Sequence, residues 1–290
     1  MLSTPKISIV TPTFNSHVTL RETIESVLTQ DYKNWEHIVI DGGSTDGTLD
    51  ILRRYPRLQW ISEKDRGHYH AMNKGIERAS GDIIAILNAD DCYREGALAR
   101  VAEAFAQNPE WDALFGDVVY VDGKGEEIFR REEARYDYDV LRFSDICYVI
   151  HPTLFVKKAA YDRLGLYSDE KFRNAADGEF ILRLGQAGCR VGHINMLLAN
   201  YRFHEHGQSA DLRVNRNTAR EWRIIRSAHG MPKGVRGKLL SIYYRGKRQV
   251  QKLIHRGTCD LVPGRWKLRS YIGKKTKFTS NIDFDRLEAD

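Results

Sequence analysis

Three apolar runs in the first third of the chain stop abruptly at small, polar or acidic residues. Ile7-Ser8-Ile9-Val10 passes into Thr11-Pro12-Thr13-Phe14-Asn15, and Ile38-Val39-Ile40 into Asp41-Gly42-Gly43-Ser44. Ile83-Ile84-Ala85-Ile86-Leu87 passes into Asn88-Ala89-Asp90-Asp91. Buried strands of a parallel sheet have this form, and open α/β sheets hold ligands at the carboxyl ends of such strands. Carboxylates placed there can give hard oxygen ligands to Mg2+ or Mn2+, which in turn can hold phosphoryl oxygens. Asp90 is the main candidate ligand and Asp91 the second. A turn that only caps the next helix is the plainer alternative for these four residues. Asp46, just before Gly47-Thr48, suits a helix cap better than Asp41 does.

Other polar segments follow. Glu63-Lys64-Asp65-Arg66-Gly67 leads into His68-Tyr69-His70-Ala71-Met72-Asn73-Lys74-Gly75. Gly67 permits close backbone approach, and Arg66 or Lys74 could neutralise a diphosphate, although Lys74 fits a solvated helix face equally well. His68 and His70 lie two apart, the wrong spacing for one helical face, so they make no metal pair. Asp177 follows Ala175-Ala176 and opens a helical run, where an N-cap aspartate also fits. His151-Pro152 precedes an apolar strand, and His204 and His206 follow the last one.

Taken in order, these segments resemble the family-2 inverting glycosyltransferases, enzymes of the GT-A fold that transfer sugars from nucleotide donors. The resemblance spans residues 6–209. It implies that Thr11, Pro12, Thr13, Asp41, Asp65, Arg66, Asn88 and Ala89 contact the donor nucleotide, with Asp41 accepting the imide N–H of a uracil. Related enzymes usually carry Asp-x-Asp where this chain has Asn88-Ala89-Asp90, so one negative charge is gone. Asp177 matches the family's general base, His151 stands near the acceptor, and His204 and His206 fall in a loop over the diphosphate. Those last two histidines suit metal or phosphate, or a plain linker.

The activity the resemblance implies is therefore metal-dependent inverting transfer from a nucleotide-diphospho sugar, UDP-linked, to a hydroxyl of a glycan or lipid-linked glycan. Surface polysaccharide or glycoconjugate assembly is the implied setting. A polyprenyl-phosphate sugar synthase would need no general base, so Asp177 argues against it. A non-catalytic nucleotide-binding scaffold is disfavoured by Asp41, Asp65, Asp90 and Asp177 standing together.

Elements must place these groups. Strand and helix periodicities alternate through residues 6–107, which implies right-handed crossovers and a mainly parallel, Rossmann-like sheet flanked by helices. Short strands are expected at residues 6–11, 35–40, 58–61 and 83–87, with helices at 18–30, 69–79 and 95–107 and one from about Ser44 or Asp46 to Tyr55. A hairpin at 113–130, a helix at 136–143 and a strand at 153–156 come next. Then follow a helix at 177–187 and two strands at 190–194 and 197–203. The reading gives a GT-A domain over residues 1–209, with a nucleotide-sugar half to about 110 and an acceptor half beyond, then a basic helical C-terminal extension over 210–290.

Composition is ordinary for a soluble globular protein, with 42% hydrophobic and 29% charged residues. Residues 1–5 lead straight into a strand without the charged-then-apolar order of a signal peptide. Four scattered cysteines form no Cys-x-x-Cys pair, which points to a reducing cytoplasm. Between Met231 and Lys277 stand fourteen Lys or Arg against one acid, Asp260. That local balance of +13 leaves −7 for the rest of a chain whose net charge is +6. The extension, with Leu239, Tyr243, Tyr244 and Trp266 among its cations, is expected to meet anionic lipid on the inner face of the plasma membrane, or to pack on the catalytic domain. No nucleic-acid motif accompanies this charge.

Overall fold

The computed structural model describes residues 4–144, 146–204 and 212–256. Strand β1 (Ile7–Thr13) is buried at every position. It lies between β2 (Trp35–Asp41) and β4 (Ile83–Ile86), with β3 (Gln59–Ser62) outside β2, all parallel. Helices α1 (Leu20–Leu28), α2 (Thr48–Leu52) and α3 (His68–Arg78) make the crossovers, and α4 (Ala97–Gln107) follows β4. The apolar residues of β1 serve both faces. Val10 joins a core with Ile38, Ile84 and the α3 residues Met72 and Ile76, whereas Ile7 and Ile9 join Ile83, Leu98 and Val101. Gly75 lets α3 press on β1, since a Cβ there would come within 2.2 Å of Val10.

Past β4 one short strand reverses direction. β8 (Leu154–Lys157) runs antiparallel between β4 and β6 (Ala113–Val121), and β9 (Val191–Arg202) then lies parallel to β6. Only β8, β7 (Glu127–Arg131, paired with β6) and the two-residue β5 (Cys92–Tyr93, paired with β9) oppose the rest, so the sheet is mainly parallel as expected. The ends of β1, β4, β6 and β9 therefore share one edge. The strand order reverses between β1 and β4, the switch point where such sheets open a crevice.

Several boundaries differ from the sequence expectation. The two strands at 190–203 are one, because the register slips around Gly116 and keeps β9 continuous. A Cβ at Gly116 would meet the Leu198 side chain at 2.5 Å, so only glycine admits that approach. Helix α2 stops at Leu52, short of Tyr55. The short helix α6 (Lys158–Leu164) and the two-residue strand β5 are too short to show a period. Helices α5 (Tyr138–Phe143) and α7 (Ala176–Gln186) stand close to their expected places.

The extension begins with α8 (Leu212–Ala228) and α9 (Gly234–Arg256). Ile225 of α8 belongs to the main core, and Trp222 fills the space that Gly178 of α7 leaves. Helix α9 packs on α5 through cations that meet body carboxylates. Arg248 pairs with buried Glu133 (Nε to Oε2 3.0 Å), Lys247 with Asp137 (2.7 Å) and Arg256 with Asp117 (2.7 Å). Part of the basic excess is thus used within the fold.

His37, fully buried in β2, takes a hydrogen-bonding place beside the Thr11 hydroxyl at 2.9 Å, and burial pushes its pKa down to about 3. An unfolded histidine titrates near 6.5, so between these values the unfolded chain binds the extra proton. This contribution to stability is present above about pH 6.5 and is lost as pH falls toward 3. Denaturation at pH 7 and pH 5 should show a loss of about 2 kcal/mol from this group. In His37→Gln that part of the pH dependence should disappear, and an unchanged slope would refute the assignment.

Candidate active site

The ends of β1, β2 and β4 make one rim. After β1 the chain turns at Asn15, whose positive φ of 50° starts a latch to the loop after β2. Asn15 N–H donates to Ser44 Oγ (2.7 Å), and Thr45 N–H donates to Asn15 Oδ1 (2.9 Å). Asp46 accepts from the Thr48 N–H and hydroxyl and from His17, so it shapes the entry to α2 as expected.

Asp41 does not face the rim. It is wholly buried, and its two oxygens accept from Gly43 N–H (3.0 Å), Ser44 N–H (2.9 Å), Ser44 Oγ (2.5 Å) and Ser62 Oγ (2.6 Å). Buried, with Oδ2 accepting three of these bonds and Oδ1 the fourth, it presents no exposed oxygen to a base. Thr11, Pro12 and Thr13 are likewise buried in β1. The groups that do reach outward are Phe14, 61% exposed, and Asp65. Both flank Gly42: a Cβ there would lie 2.7 Å from Asp65 Oδ2 and 3.3 Å from Phe14 Cδ2. An exposed ring beside a carboxylate can stack a base and receive its N–H. Phe14 escaped sequence reading because an aromatic at a strand end counts as core.

The loop after β4 divides its two acids. Asp91 is buried, accepting from Arg202 N–H (3.0 Å) and from Asn88 Nδ2 (3.0 Å), and burial together with the Asp90 charge pushes its carboxyl above the usual range. As a metal ligand it is therefore corrected to an internal brace. Asn88 supplies the donor that an aspartate there would lack, which gives the missing charge a physical reason. Ala89 is buried. Asp90 alone turns outward, with His204 Nε2 at 3.2 Å from its Oδ2 and both side chains partly exposed. Carboxylate and imidazole suit Mn2+ or Mg2+ with a donor diphosphate completing the shell, so the pair fits such an ion. No cluster of three or more His, Cys, Asp or Glu able to hold a metal occurs among the described residues. His206 lies outside them.

Arg66 turns away from the rim to Asp169 (3.0 Å), and Lys74 pairs with Glu63 (2.8 Å). Asn73 is a brace: its amide exchanges hydrogen bonds with the Tyr167 backbone.

The first turn of α3 joins this rim to Asp177. Asp65 accepts from Gly67 N–H (2.8 Å), and two residues later Tyr69 donates its hydroxyl to Asp177 Oδ1 at 2.6 Å. Burial holds the Tyr69 phenol well above its ordinary pKa, so it stays a donor. His68 lies in the same field, held to about 4 by burial against the opposing pull of Asp177. His151 is buried against Tyr167 (2.7 Å), with its pKa lowered by burial, and so sits behind the site rather than in it.

Asp177 is not the cap of α7. The N-cap is Ala175, and the carboxylate at the helix mouth comes from Glu221 of α8. It accepts from the N–H groups of Arg173 (3.1 Å), Asn174 (2.9 Å) and Ala175 (2.9 Å), and from Asn174 Nδ2 (3.0 Å). A negative charge there is favoured by the helix dipole and leaves Asp177 free of capping duty.

The profile of Glycosyl transferase family 2 matches residues 8–165, and a PGL/p-HBAD biosynthesis glycosyltransferase of Mycobacterium tuberculosis is 33% identical over 208 residues, 69% of this chain and 78% of that protein. The chain belongs to glycosyltransferase family 2. A putative teichuronic acid biosynthesis glycosyltransferase, TuaG of Bacillus subtilis, is 36% identical over 104 residues, 34% of this chain and 41% of that one. Residues 1–349 of S. aureus TarS, crystallised with UDP-GlcNAc, superpose with a TM-score of 0.63 at 17% identity over 93% of this chain and 80% of that one. Mannosyltransferase PcManGT from Pyrobaculum calidifontis, in complex with GDP-Man and Mn2+, gives 0.62 at 19% over 94% and 81%. These likenesses establish the GT-A fold, and in this glycosyltransferase α8 braces α7.

Removing that brace has a measurable cost. Glu221→Ala should lower unfolding free energy by about 2 kcal/mol, since a charged acceptor for several N–H groups is lost. Urea denaturation would measure it, and a change near zero would deny Glu221 the role.

Proposed function

We propose that this glycosyltransferase moves a sugar, with inversion, from a UDP-linked donor to a hydroxyl of a glycan or lipid-linked glycan. The observation that carries this reading is the continuous path from Asp65 at the donor rim through α3 to Tyr69 and Asp177. One short turn fixes a donor-side carboxylate and a prospective base relative to each other. The exposed Phe14 ring beside the Asp65 carboxylate supports a uridine nucleotide. Phe14 then stacks the base and Asp65 takes its N–H, the part Asp41 cannot play. The names of the mycobacterial and Bacillus relatives support an acceptor in surface glycoconjugate assembly.

Asp177 accepts the proton of the acceptor hydroxyl, and that oxygen attacks the anomeric carbon from the face opposite the departing nucleotide. The Tyr69 hydroxyl holds the carboxylate in place by donating to Oδ1. Asp90 and His204 would hold a divalent cation, which when bound would offset the charge of the diphosphate. No second carboxylic acid is required, because a diphosphate leaves without being protonated. Asp91, Asn88 and Arg202 keep Asp90 and His204 in register.

Asp177→Asn keeps the size of the side chain but cannot take a proton. Transfer should fall by about 10²–10⁴-fold, with donor affinity unchanged. Parallel measurement of turnover and calorimetric UDP binding tests this. A variant within a few-fold of wild type would assign Asp177 to structure alone.

A further inference from the structure

Helix α9 wears its apolar residues on the outside. Val235, Leu239, Ile242, Tyr243, Val250 and Leu253 are each more than half exposed, and so is Ile254. Their spacings of three, four and seven put them on one face of a 3.6-residue helix. The opposite face is spent on the body, where Arg248 and Lys252 are buried and Tyr244 packs on Phe143 with ring centroids 5.0 Å apart. Tyr244 therefore points inward, contrary to the sequence expectation, and Trp266 lies outside the described residues. Such exposure is unusual for a helix that is already docked, because a lone packed helix normally turns its apolar stripe to the core.

Charge selects what covers the stripe. The helix contains no acid, and Lys233, Arg236 and Lys238 stand exposed along its start. A second copy of this face would bring cations against cations. The segment 257–277, with six Lys or Arg and one Asp, repeats the same sign. An anionic sheet of headgroups over acyl chains satisfies both features, since the apolar residues enter and the cations meet phosphate at its surface. The helix is about 34 Å long, and among the described residues no helix is long and apolar enough to cross a membrane.

We propose that the outer face of α9 is a lipid-docking surface that lays the protein on an anionic membrane, with Ile242 and Val250 at the centre of the inserted stripe. The body holds the inner face through Glu133, Asp137 and Asp117, so the helix is presented ready-formed. Docking needs no donor and no acceptor, so it stands or falls apart from the transfer reading.

The test is co-sedimentation of the full chain with vesicles of equimolar phosphatidylcholine and phosphatidylglycerol, beside pure phosphatidylcholine. Wild type should pellet with the anionic vesicles, less as salt rises, and weakly with the neutral ones. Ile242→Glu/Val250→Glu should bind about tenfold or more weakly with an unchanged melting temperature. Equal pelleting of wild type and variant, or none by wild type at low salt, would overturn the proposal. So would a lipid-free dimer that the double substitution dissolves, which would name a second copy as the occupant. A lowered melting temperature in the variant would equally overturn it, because the chain itself would then cover the face.

Discussion

The candidate site hangs on Arg202 at the end of β9. Its backbone N–H goes to the buried Asp91 carboxylate, its Nε to the Asp90 carbonyl (3.0 Å) and its Nη1 to the Gly123 carbonyl (3.2 Å), while its Nη2 pairs with Glu22. One mostly buried guanidinium therefore ties the loop after β4, the hairpin turn after β6 and helix α1 to a single strand end. Its charge is compensated by neighbouring carboxylates, so the burial is tolerable, and its planar fork fixes directions as well as distances. His204, two residues on, meets Asp90 because this junction is made. The two outward side chains of the rim are thus set by an inward network.

A second constraint acts on the other half of the site. Asp177 sits in the first turn of α7, and three side chains from two other helices decide where that turn lies. Tyr69 of α3 binds the carboxylate, Asn73 of the same helix holds the chain at Tyr167, and Glu221 of α8 closes the mouth of α7. Trp222 against Gly178 fixes how closely α8 approaches. Helix α8 lies beyond the residues that the family profile matches, yet it shares the main core through Ile225. The basic extension is in its described part a structural member of the catalytic body, with a second face turned outward.

The parallel strands were legible because burial on both faces demands mostly apolar runs, and Ile7–Val10 and Ile83–Leu87 have that form, whereas their order across the sheet was not. Which acid after a strand faces out was not. Asp41 and Asp91 look as available as Asp90 in the sequence, and only the turn geometry around Ser44 and the arrival of Arg202 commit them inward. The helix mouth at residues 173–175 reads as an ordinary Asp177 cap until Glu221, more than forty residues later, arrives in space. In the same way, the count of cations in the tail showed a basic helix but not that Lys247, Arg248 and Arg256 are paired with body acids. Phe14 was passed over for the opposite reason: its type signals a core, and its exposure is a property of where β1 ends.

The claim that Asp90 and His204 jointly hold the donor's cation is the point on which the account turns, and electron paramagnetic resonance of Mn2+ titrated with UDP reads it directly. Wild type should give a protein-bound Mn2+ signal that depends on UDP, and the signal should be lost in Asp90→Ala and in His204→Ala, while both variants keep the wild-type fold by circular dichroism. A UDP-dependent bound signal that persists when both side chains are removed together would contradict the account.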